Sequence, residues 1–364
     1  MKRKALLASF LLIYLLSACT IGADTPAGDE ATNIQTPTQA PILLPSETAE
    51  PTPMATPAGP KPVIIDTDMA ADDWGAILYV LQNKNANVLG VFLSGDGEAT
   101  CVPGVDNILR LVTLSGHDPI PVACASPKPL AGSNSFPDSW RGAVNAFNGR
   151  DDIQPARNTA TKENAVQMMN ELLMDASEPV TFLVTGPTSN VARLVRDYPE
   201  VKEKIARFYV MGGAVLVDGN VAPDNHAEWN FYIDPVADNI LLRAGIPITL
   251  GSLDYTDNVP LTKSFVSQMK ARQTTAAAQF LYSYEEANPW RIGSGNYLWD
   301  QSTAVMMMND SIVQYEDVHA CVAEEGDYQG AIQPDTECPL HQFGVKVDPD
   351  AVFEEYWQVI NREK

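Results

Sequence analysis

The stretch Pro62-Val63-Ile64-Ile65-Asp66-Thr67-Asp68-Met69-Ala70-Ala71-Asp72-Asp73-Trp74 joins a short apolar run to four aspartates within eight residues. The run from Val63 to Ile65 is typical of a buried strand, and apolar residues recur at helical spacing from Trp74 to Leu81. The acids therefore occupy a strand-to-helix turn. In an open α/β sheet such a turn lies at the carboxyl end of the strand, where ligands bind.

Four neighbouring carboxylates need a counter-charge. They repel one another, and this repulsion raises their pKa values unless a cation or a hydrogen-bond network keeps them ionised. Calcium and magnesium prefer oxygen ligands, and Ca²⁺ tolerates the irregular ligand shells that adjacent carboxylates offer. An acidic cap that complements the helix dipole would need only one or two acids. The stretch therefore predicts a site for a hard divalent cation.

Further apolar runs alternate with segments that are compatible with helices. The predicted strands are Val63 to Ile65, Val88 to Leu93, Ile120 to Ala123, Val180 to Val184, Phe208 to Met211 and Ile246 to Leu250. The predicted helices lie around Asp72 to Lys84, Val105 to Leu114, Lys162 to Met174, Ser189 to Tyr198 and Pro235 to Ala244. This alternation predicts an α/β fold with an open, mostly parallel sheet, helices on both faces and a single large domain.

The first 60 residues differ in composition from this fold. Basic residues 2–4 and the apolar run 5–16 are typical of a signal peptide, and the run is too short to span a bilayer. Leu16-Ser17-Ala18-Cys19 resembles the lipobox of bacterial lipoproteins, in which the cysteine carries the lipid; an ordinary signal peptide is the alternative. Residues 20–60 contain 8 Pro, 8 Thr and no aromatic residue, so they cannot bury a core.

These features predict three regions. They are a lipoprotein signal peptide (1–18), a lipidated Cys19 with a disordered Pro/Thr-rich tether (19–60) and a folded domain (61–364). The expected location is extracytoplasmic, on a bacterial membrane. The formal net charge of −22 argues against nucleic-acid polymers and anionic lipid head groups as partners. We therefore expect membrane contact only through the lipid anchor, and a small molecule as the partner.

Four cysteines remain beside Cys19. In an oxidising exterior, Cys101 can pair with Cys124 and Cys321 with Cys338, although four cysteines allow three connectivities. Buried free thiols are the alternative for the first pair. The sequence alone does not choose between these arrangements.

Polar clusters follow several of the predicted strands. Because the carboxyl ends of parallel strands share one edge of the sheet, we expect these clusters to converge. They are Asp66 to Asp73, Gly95 to Glu98, Thr185 to Asn190, the segment from Met211 to Asn230, and Tyr297 to Asp300.

In this order the clusters resemble the nucleoside hydrolase family of inosine-uridine type N-ribohydrolases, from about Lys61 to the C-terminus. The family opens with Asp-Thr-Asp-Pro-Gly-x-Asp-Asp, and this chain keeps every acid while Met69 and Ala70 replace Pro-Gly. The Thr-Gly-Pro-x-x-Asn, Met-Gly-Gly and Glu-aromatic-Asn motifs also recur. The resemblance implies Ca²⁺-dependent hydrolysis of ribonucleosides to free base and ribose, a role in purine and pyrimidine salvage, and a homo-oligomer.

The resemblance also implies the metal site. Its calcium ligands would be Asp68, Asp73, the backbone carbonyl of Thr185 and Asp300. A water and the ribose 2′- and 3′-hydroxyls would fill the remaining positions, and Asp68 would be the general base toward that water.

The resemblance assigns the ribose hydroxyls to Asp72, Asn220, Glu228 and Asn230. Cleavage passes through an oxocarbenium-like cation, so a negative site beneath the sugar stabilises the transition state. Plainer interpretations are a turn for Asn220, a solvated strand edge for Glu228 and Asn230, and a helix N-cap for Asp300.

Two departures affect the substrate assignment. Many members carry His before the late Asp, where this chain has Trp299, which cannot supply a proton to the base but could stack on it. His226 is a candidate acid, with a surface loop histidine as the favoured alternative. Where the family often has Gly-Asn, this chain has Gly97 and Glu98, and Glu98 would contact ribose or tune the metal. His117, His319 and His341 lie outside the segments that follow the carboxyl ends of the predicted strands.

Two other functions compete with hydrolysis. One is a catalytically silent nucleoside-binding lipoprotein, which the tether and Trp299 favour. The other is a haloacid dehalogenase-like phosphohydrolase, whose opening Asp-x-Asp resembles Asp66 and Asp68 but which explains neither Asp72 nor Asp73. The base preference and the acid that protonates the leaving base stay open.

Overall fold

A computed structural model describes residues 59–150, 152–153 and 164–362. The predicted signal peptide, Cys19 and almost all of the predicted tether lie outside the described residues, so these assignments stay predictions.

Nine strands of the described residues form one sheet. They are β1 (Lys61–Thr67), β2 (Ala86–Leu93), β3 (Val122–Cys124), β4 (Val180–Val184), β5 (Ile205–Met211), β6 (Ile248–Gly251), β7 (Val313–Val322), β8 (Ile332–Pro334) and β9 (Leu340–Val347). Their order across the sheet is β3-β2-β1-β4-β5-β6-β9-β7-β8. All pairings from β3 to β9 are parallel, which confirms the predicted mostly parallel sheet and all six predicted strands.

The last three strands are absent from the sequence prediction. β7 pairs antiparallel with β9 and with β8 at one edge of the sheet. Its sequence Val-Gln-Tyr-Glu-Asp-Val-His-Ala-Cys-Val mixes charged and apolar residues, and several of its positions are exposed. A strand with a solvated face lacks the continuous apolar run that marks buried parallel strands, so apolar runs alone do not predict it.

The helices cover both faces of the sheet, as predicted. They are α1 (Asp73–Gln82), α2 (Cys101–Leu114), α3 (Asp138–Asn145), α4 (Ala165–Asp175), α5 (Ser189–Asp197), α6 (Trp229–Ile233), α7 (Pro235–Leu242), α8 (Leu253–Thr256), α9 (Lys263–Ala271), α10 (Ala276–Ala287), α11 (Trp299–Met308) and α12 (Pro349–Ile360). Short 3₁₀ turns span Phe147–Gly149, Pro199–Lys204, Pro289–Arg291 and Asp310–Ile312. Among the described residues, no helix combines the length and apolar character needed to cross a bilayer.

Side chains of β1 alternate between two cores, because successive strand residues point to opposite faces. Val63 and Ile65 pack in one core with residues of α1, α2, α10, α11 and α12. Ile64 packs in the other core with residues of α4, α5 and α7. The strand is therefore buried on both sides, and its carboxyl end is held rigidly at the rim of the sheet.

Both local cysteine pairs are disulfides. Cys101 is bonded to Cys124, and Cys321 is bonded to Cys338. Of the three connectivities that the sequence allowed, the structure contains the local one.

Candidate active site

The aspartates of the opening stretch divide into one strand residue and three rim residues. Asp66 lies inside β1, where its Oδ1 accepts a hydrogen bond of 2.8 Å from Asn190 Nδ2. Complete burial holds the pKa of Asp66 well above its ordinary value. The expectation that all four acids occupy the turn is therefore wrong for Asp66, because β1 continues through Thr67.

Asp68 is held by backbone amides at the end of β1. Its Oδ2 accepts from Glu98 N at 3.0 Å and its Oδ1 from Ala70 N at 3.3 Å. The loop after β2 approaches so closely that a Cβ on Gly97 would lie 2.1 Å from the Asp68 Cβ, which only glycine avoids. Burial raises the pKa of Asp68 to about 6, against the lowering effect of Asp73 and the two amides.

The backbone after Asp68 departs from what the family motif would adopt. Met69 has a φ of 63°, a left-handed conformation that the proline ring of the motif forbids. The Met69 amide donates to Thr67 Oγ1 at 3.1 Å, and the side chain is fully buried. With Met-Ala in place of Pro-Gly, this turn therefore adopts a backbone conformation that a proline at position 69 could not adopt.

Four rim carboxyls form a chain of contacts. The side chain of Asp73 contacts those of Asp68 and Asp300, and the side chain of Asp72 contacts that of Asp300. Oxygens of Asp72, Asp73 and Asp300 lie within 4.8 Å of one another. Burial first, and the neighbouring negative charges second, hold the pKa values of Asp73 and Asp300 well above their ordinary range.

This arrangement fits a hard divalent cation. Asp73 Oδ1 accepts from the hydroxyls of Thr67 and Thr185, whereas Asp73 Oδ2 is buried and has no hydrogen-bond donor among the described residues. Buried carboxyls in mutual contact either share protons or bind a cation, and all the available ligand atoms are oxygens. Thr185 lies beside this cluster, with its amide bonded to the Asp66 carbonyl at 2.9 Å.

Glu228 is aimed by the start of α6. Its carboxylate caps the helix, with Oε2 accepting from Gly213 N at 2.9 Å and Phe231 N at 3.2 Å, and Oε1 accepting from Asn230 N at 2.9 Å. Burial raises the pKa of Glu228 to about 7, although these amides lower it. The solvated strand edge is therefore ruled out for Glu228, which is buried and caps a helix.

The neighbouring asparagines have fixed partners. Asn230 Nδ2 donates to the Met211 carbonyl at 3.2 Å, and Asn220 Oδ1 accepts from Trp229 N at 3.1 Å. Both residues line the same cavity as Glu228. The turn that holds Asn220 therefore also brings it to the cavity.

The stability of the cation-free protein is expected to fall as pH rises. Glu228 is protonated in both states below its unfolded pKa of 4.5, and its contribution is lost as pH rises through its folded pKa of about 7. The loss amounts to roughly 3 kcal/mol of unfolding free energy. Urea unfolding between pH 5 and pH 8 in chelator measures it, and Glu228→Gln should flatten the slope by this amount. An equal slope in the variant would contradict the assignment.

The rim encloses a cavity of about 510 Å³. Nine of the predicted residues line it, namely Asp68, Asp72, Glu98, Thr185, Asn220, Glu228, Asn230, Trp299 and Asp300. Asp73 does not line the cavity, but its side chain contacts those of Asp68 and Asp300, which do. Glu98 is half-buried beside Asp68 and Asp72, and desolvation together with these two negative charges holds its pKa well above the ordinary value.

Aromatic side chains form the outer wall of the cavity, and the sequence prediction missed most of them. Trp229 stacks on Phe136 with ring centroids 5.3 Å apart and lies 5.3 Å from Trp140. Trp290 also lines the cavity and is 65% exposed. Phe136 and Trp140 lie close together in the sequence, and this pair of aromatic residues was the signal that could have indicated the cavity wall.

One cation also lines the cavity. The Arg291 Nε lies 3.2 Å from Glu285 Oε2, and its guanidinium lies over the ring of Tyr284 at 5.2 Å. Its positive charge lowers the pKa values of Asp72 and Glu98 against the effect of burial. The sequence prediction did not include Arg291.

The residues considered for protonating the base do not converge. Trp299 Nε1 donates to Asp257 Oδ1 at 3.0 Å, so the only donor of this ring is already bonded. His226 is exposed, stacks on Tyr328 with centroids 4.2 Å apart and does not line the cavity. All four histidines belong to the described residues, and none of them lines the cavity. The placement of His226 agrees with a surface loop histidine.

The sequence of the folded part also matches a family of known proteins. Residues 63–354 match the sequence profile of the inosine-uridine preferring nucleoside hydrolases. The chain belongs to this family. This nucleoside hydrolase is 32% identical over 275 residues to the pyrimidine-specific ribonucleoside hydrolase RihA of Citrobacter koseri. The alignment covers 73% of this chain and 85% of the relative.

Solved structures of nucleoside hydrolases share the fold. The inosine-uridine preferring nucleoside hydrolase from Bacillus anthracis superposes with a TM-score of 0.73 and 25% identity, covering 83% of this chain and 99% of that one. The purine-preferring ribonucleoside hydrolase from Gardnerella vaginalis superposes with a TM-score of 0.71 and 26% identity, covering 83% of this chain and 98% of that one. The chain is therefore a hydrolase that acts on N-glycosyl bonds.

Proposed function

We propose that this nucleoside hydrolase cleaves the N-glycosidic bond of ribonucleosides with a Ca²⁺ ion held by Asp68, Asp73, the Thr185 carbonyl and Asp300. The observation that carries the proposal is that the buried Asp73 carboxyl at the start of α1 contacts both Asp68 at the end of β1 and Asp300 on α11, which line one cavity. The donor-free Asp73 Oδ2 supports a cation in particular. When bound, Ca²⁺ supplies a lowered water pKa and a grip on the vicinal diol of the sugar.

Asp68 is the proposed general base. Amides of Ala70 and Glu98 fix both of its oxygens, so the carboxylate keeps one orientation toward the cavity. Without a cation, burial raises the pKa of Asp68 to about 6, and a bound Ca²⁺ would lower it and keep the carboxylate in the ionised form that a base needs. Asp68 would take the proton of the attacking water and hold it on the carboxylate.

The sugar is proposed to bind through Asp72, Asn220, Glu228 and Asn230. Glu228 is held by three backbone amides, so its position costs little ordering when the sugar binds. The ribosyl group gains positive charge as the glycosidic bond breaks, and the acidic floor stabilises that charge. The same acids favour neutral nucleosides over polyanions.

The leaving base is proposed to lie against Trp299. The bond from Trp299 Nε1 to Asp257 orients the ring and leaves its faces to stack on a base. The two relatives described above differ in their named base preference, pyrimidine-specific in one and purine-preferring in the other. We therefore propose ribonucleosides as the substrate class without a base preference.

Ribose release should depend on the 2′-hydroxyl. Ribonucleosides are expected to yield reducing sugar, and 2′-deoxyribonucleosides to react about 100-fold more slowly or worse, because buried polar groups would be left unpaired. A reducing-sugar assay over matched purine and pyrimidine pairs measures this. Equal rates for both sugars would contradict the diol grip. Nucleoside binding with no sugar released would favour the silent binding protein instead.

The phosphohydrolase alternative has no support from the site. Its nucleophile would be Asp66, which is fully buried inside β1 and bonded to Asn190. The family assignment also points to N-glycosyl chemistry.

We also propose that lipid on Cys19 holds the enzyme outside the cytoplasm. The support is the lipobox-like sequence and the two disulfides, which persist in oxidising compartments. The homo-oligomer stays a prediction.

A further inference from the structure

The Cys101 to Cys124 disulfide lies directly against the loop that carries Glu98, residues 94–100. A Cβ on Gly95 would lie 2.7 Å from Cys101 Sγ and 2.8 Å from Cys124 Sγ. Only a glycine lets the two sulfur atoms pack on the loop backbone at this distance. The disulfide therefore covers one side of the loop.

The other side of the same loop lies on Asp68. Glu98 N donates to Asp68 Oδ2 at 3.0 Å, and Ala99 N donates to the Asp68 carbonyl at 2.9 Å. Gly97 is in close contact with the Asp68 side chain. The loop is thus enclosed between the disulfide and the proposed general base.

The disulfide also cross-links the helix that follows the loop to a neighbouring strand of the sheet. Cys101 begins α2 directly after the loop, and Cys124 ends β3, a three-residue strand at the edge of the sheet. The loop has further anchors in Ser94 N to the Thr67 carbonyl at 2.8 Å and Thr100 N to Asn145 Oδ1 at 2.8 Å. Inside the loop, Arg141 donates to the Gly95 carbonyl at 3.2 Å and Ser189 to Asp96 Oδ2 at 2.5 Å, and the disulfide adds a covalent cross-link that packs against Gly95.

We propose that the Cys101 to Cys124 disulfide is a positioning element for catalysis, which holds loop 94–100 in register with Asp68. The inference rests on the proposed role of Asp68 as general base. Without the disulfide, the loop shifts outward, starting at Gly95. The Glu98 amide then loses the Asp68 carboxylate, and the Ala99 amide loses the Asp68 carbonyl. A carboxylate displaced by a fraction of an ångström loses its alignment with the attacking water, while the sugar contacts on α6 stay in place.

The second disulfide provides a matched control. Cys321 and Cys338 are 17 residues apart against 23 for the first pair, so the two closed loops have similar length. Cys321 lies on β7, which pairs with β8 at the opposite edge of the sheet from β3. Removing either pair should therefore lower Tm by a similar amount, but only the first should affect catalysis.

The test compares Cys101→Ser/Cys124→Ser with Cys321→Ser/Cys338→Ser. We expect the first double variant to lose about tenfold or more in kcat with KM changed less than about threefold, and the second to keep both values. Hydrogen exchange of the 94–100 amides should speed up in the first variant alone. Wild-type kcat and exchange in the first variant would overturn the proposal.

Reduction tests the same proposal if the first variant does not fold. In Cys321→Ser/Cys338→Ser, a dithiol reagent gives two electrons and two protons to the Cys101 to Cys124 bond, which yields two thiols while the reagent closes to a cyclic disulfide. Faster exchange of the 94–100 amides and lower kcat support the proposal; unchanged values after both thiols are alkylated overturn it. If wild-type enzyme releases no ribose at all, the proposed function fails, and the exchange result still decides the loop contact.

Discussion

Asp68→Asn is expected to lower kcat by about 10³-fold, within the range that positioned acid and base groups contribute. Asparagine keeps the shape of the side chain and can still accept one of the amides of Ala70 and Glu98, but it cannot take a proton from water. The loss should appear in kcat and kcat/KM together, because proton transfer belongs to the transition state. The measurement is initial ribose release from a ribonucleoside at saturating Ca²⁺.

A surface acid supplies the control for this change. Asp106 on α2 is half exposed and pairs only with Arg110 at 2.8 Å among the described residues. Asp106→Asn removes the same charge from a residue that does not line the cavity and should leave kcat within about twofold, since exposed pairs contribute little. A rate for Asp68→Asn close to wild type would remove the proposed base.

Removal of divalent cations is expected to abolish ribose release, with a loss of about 10³-fold or more that added Ca²⁺ reverses. Asp72, Asp73 and Asp300 share the cluster, and no Lys or Arg among the described residues is bonded to these three carboxyls. A ligand that binds only the folded state also stabilises it, by about 2.7 kcal/mol at 100 times Kd. Chelator should therefore lower Tm as well as activity.

The variant Asp300→Asn distinguishes loss of the bound Ca²⁺ from other effects of adding chelator. It should weaken Ca²⁺ binding by about tenfold or more in calorimetric titration, because one charged oxygen ligand is lost. Asp310→Asn, an exposed acid just beyond the same helix, is the control and should keep wild-type affinity. Full activity in chelator, with Tm unchanged, would show that no cation takes part.

The sequence predicted the parallel half of the sheet well and its antiparallel edge not at all. Parallel strands such as β4, Val180–Val184, are buried on both faces and appear as continuous apolar runs. β7 and β9 alternate buried and exposed residues, and their pairing depends on contacts between segments that are distant in the chain. Propensity and local pattern do not specify such contacts.

The candidate site was predictable where short motifs carry it. The acids around Asp68 follow the end of β1, so the parallel topology brings them to the ligand-binding edge of the sheet, and the Glu228 to Asn230 motif reaches the same cavity at the start of α6. Trp140 and Arg291 come from α3 and the 3₁₀ turn Pro289–Arg291, which reach the cavity only through tertiary packing. His226 looked suitable by its place in the loop, but its ring stacks outside on Tyr328.

A crystal structure with Ca²⁺ and ribose, with the ion located by anomalous scattering, tests the central claim most directly. The account predicts one ion at 2.3–2.6 Å from oxygens of Asp68, Asp73 and Asp300 and from the Thr185 carbonyl, with the sugar diol completing its shell. An ion bound by Asp72, Asp73 and Asp300 without Asp68 and Thr185, or no ion in this cavity, would contradict it.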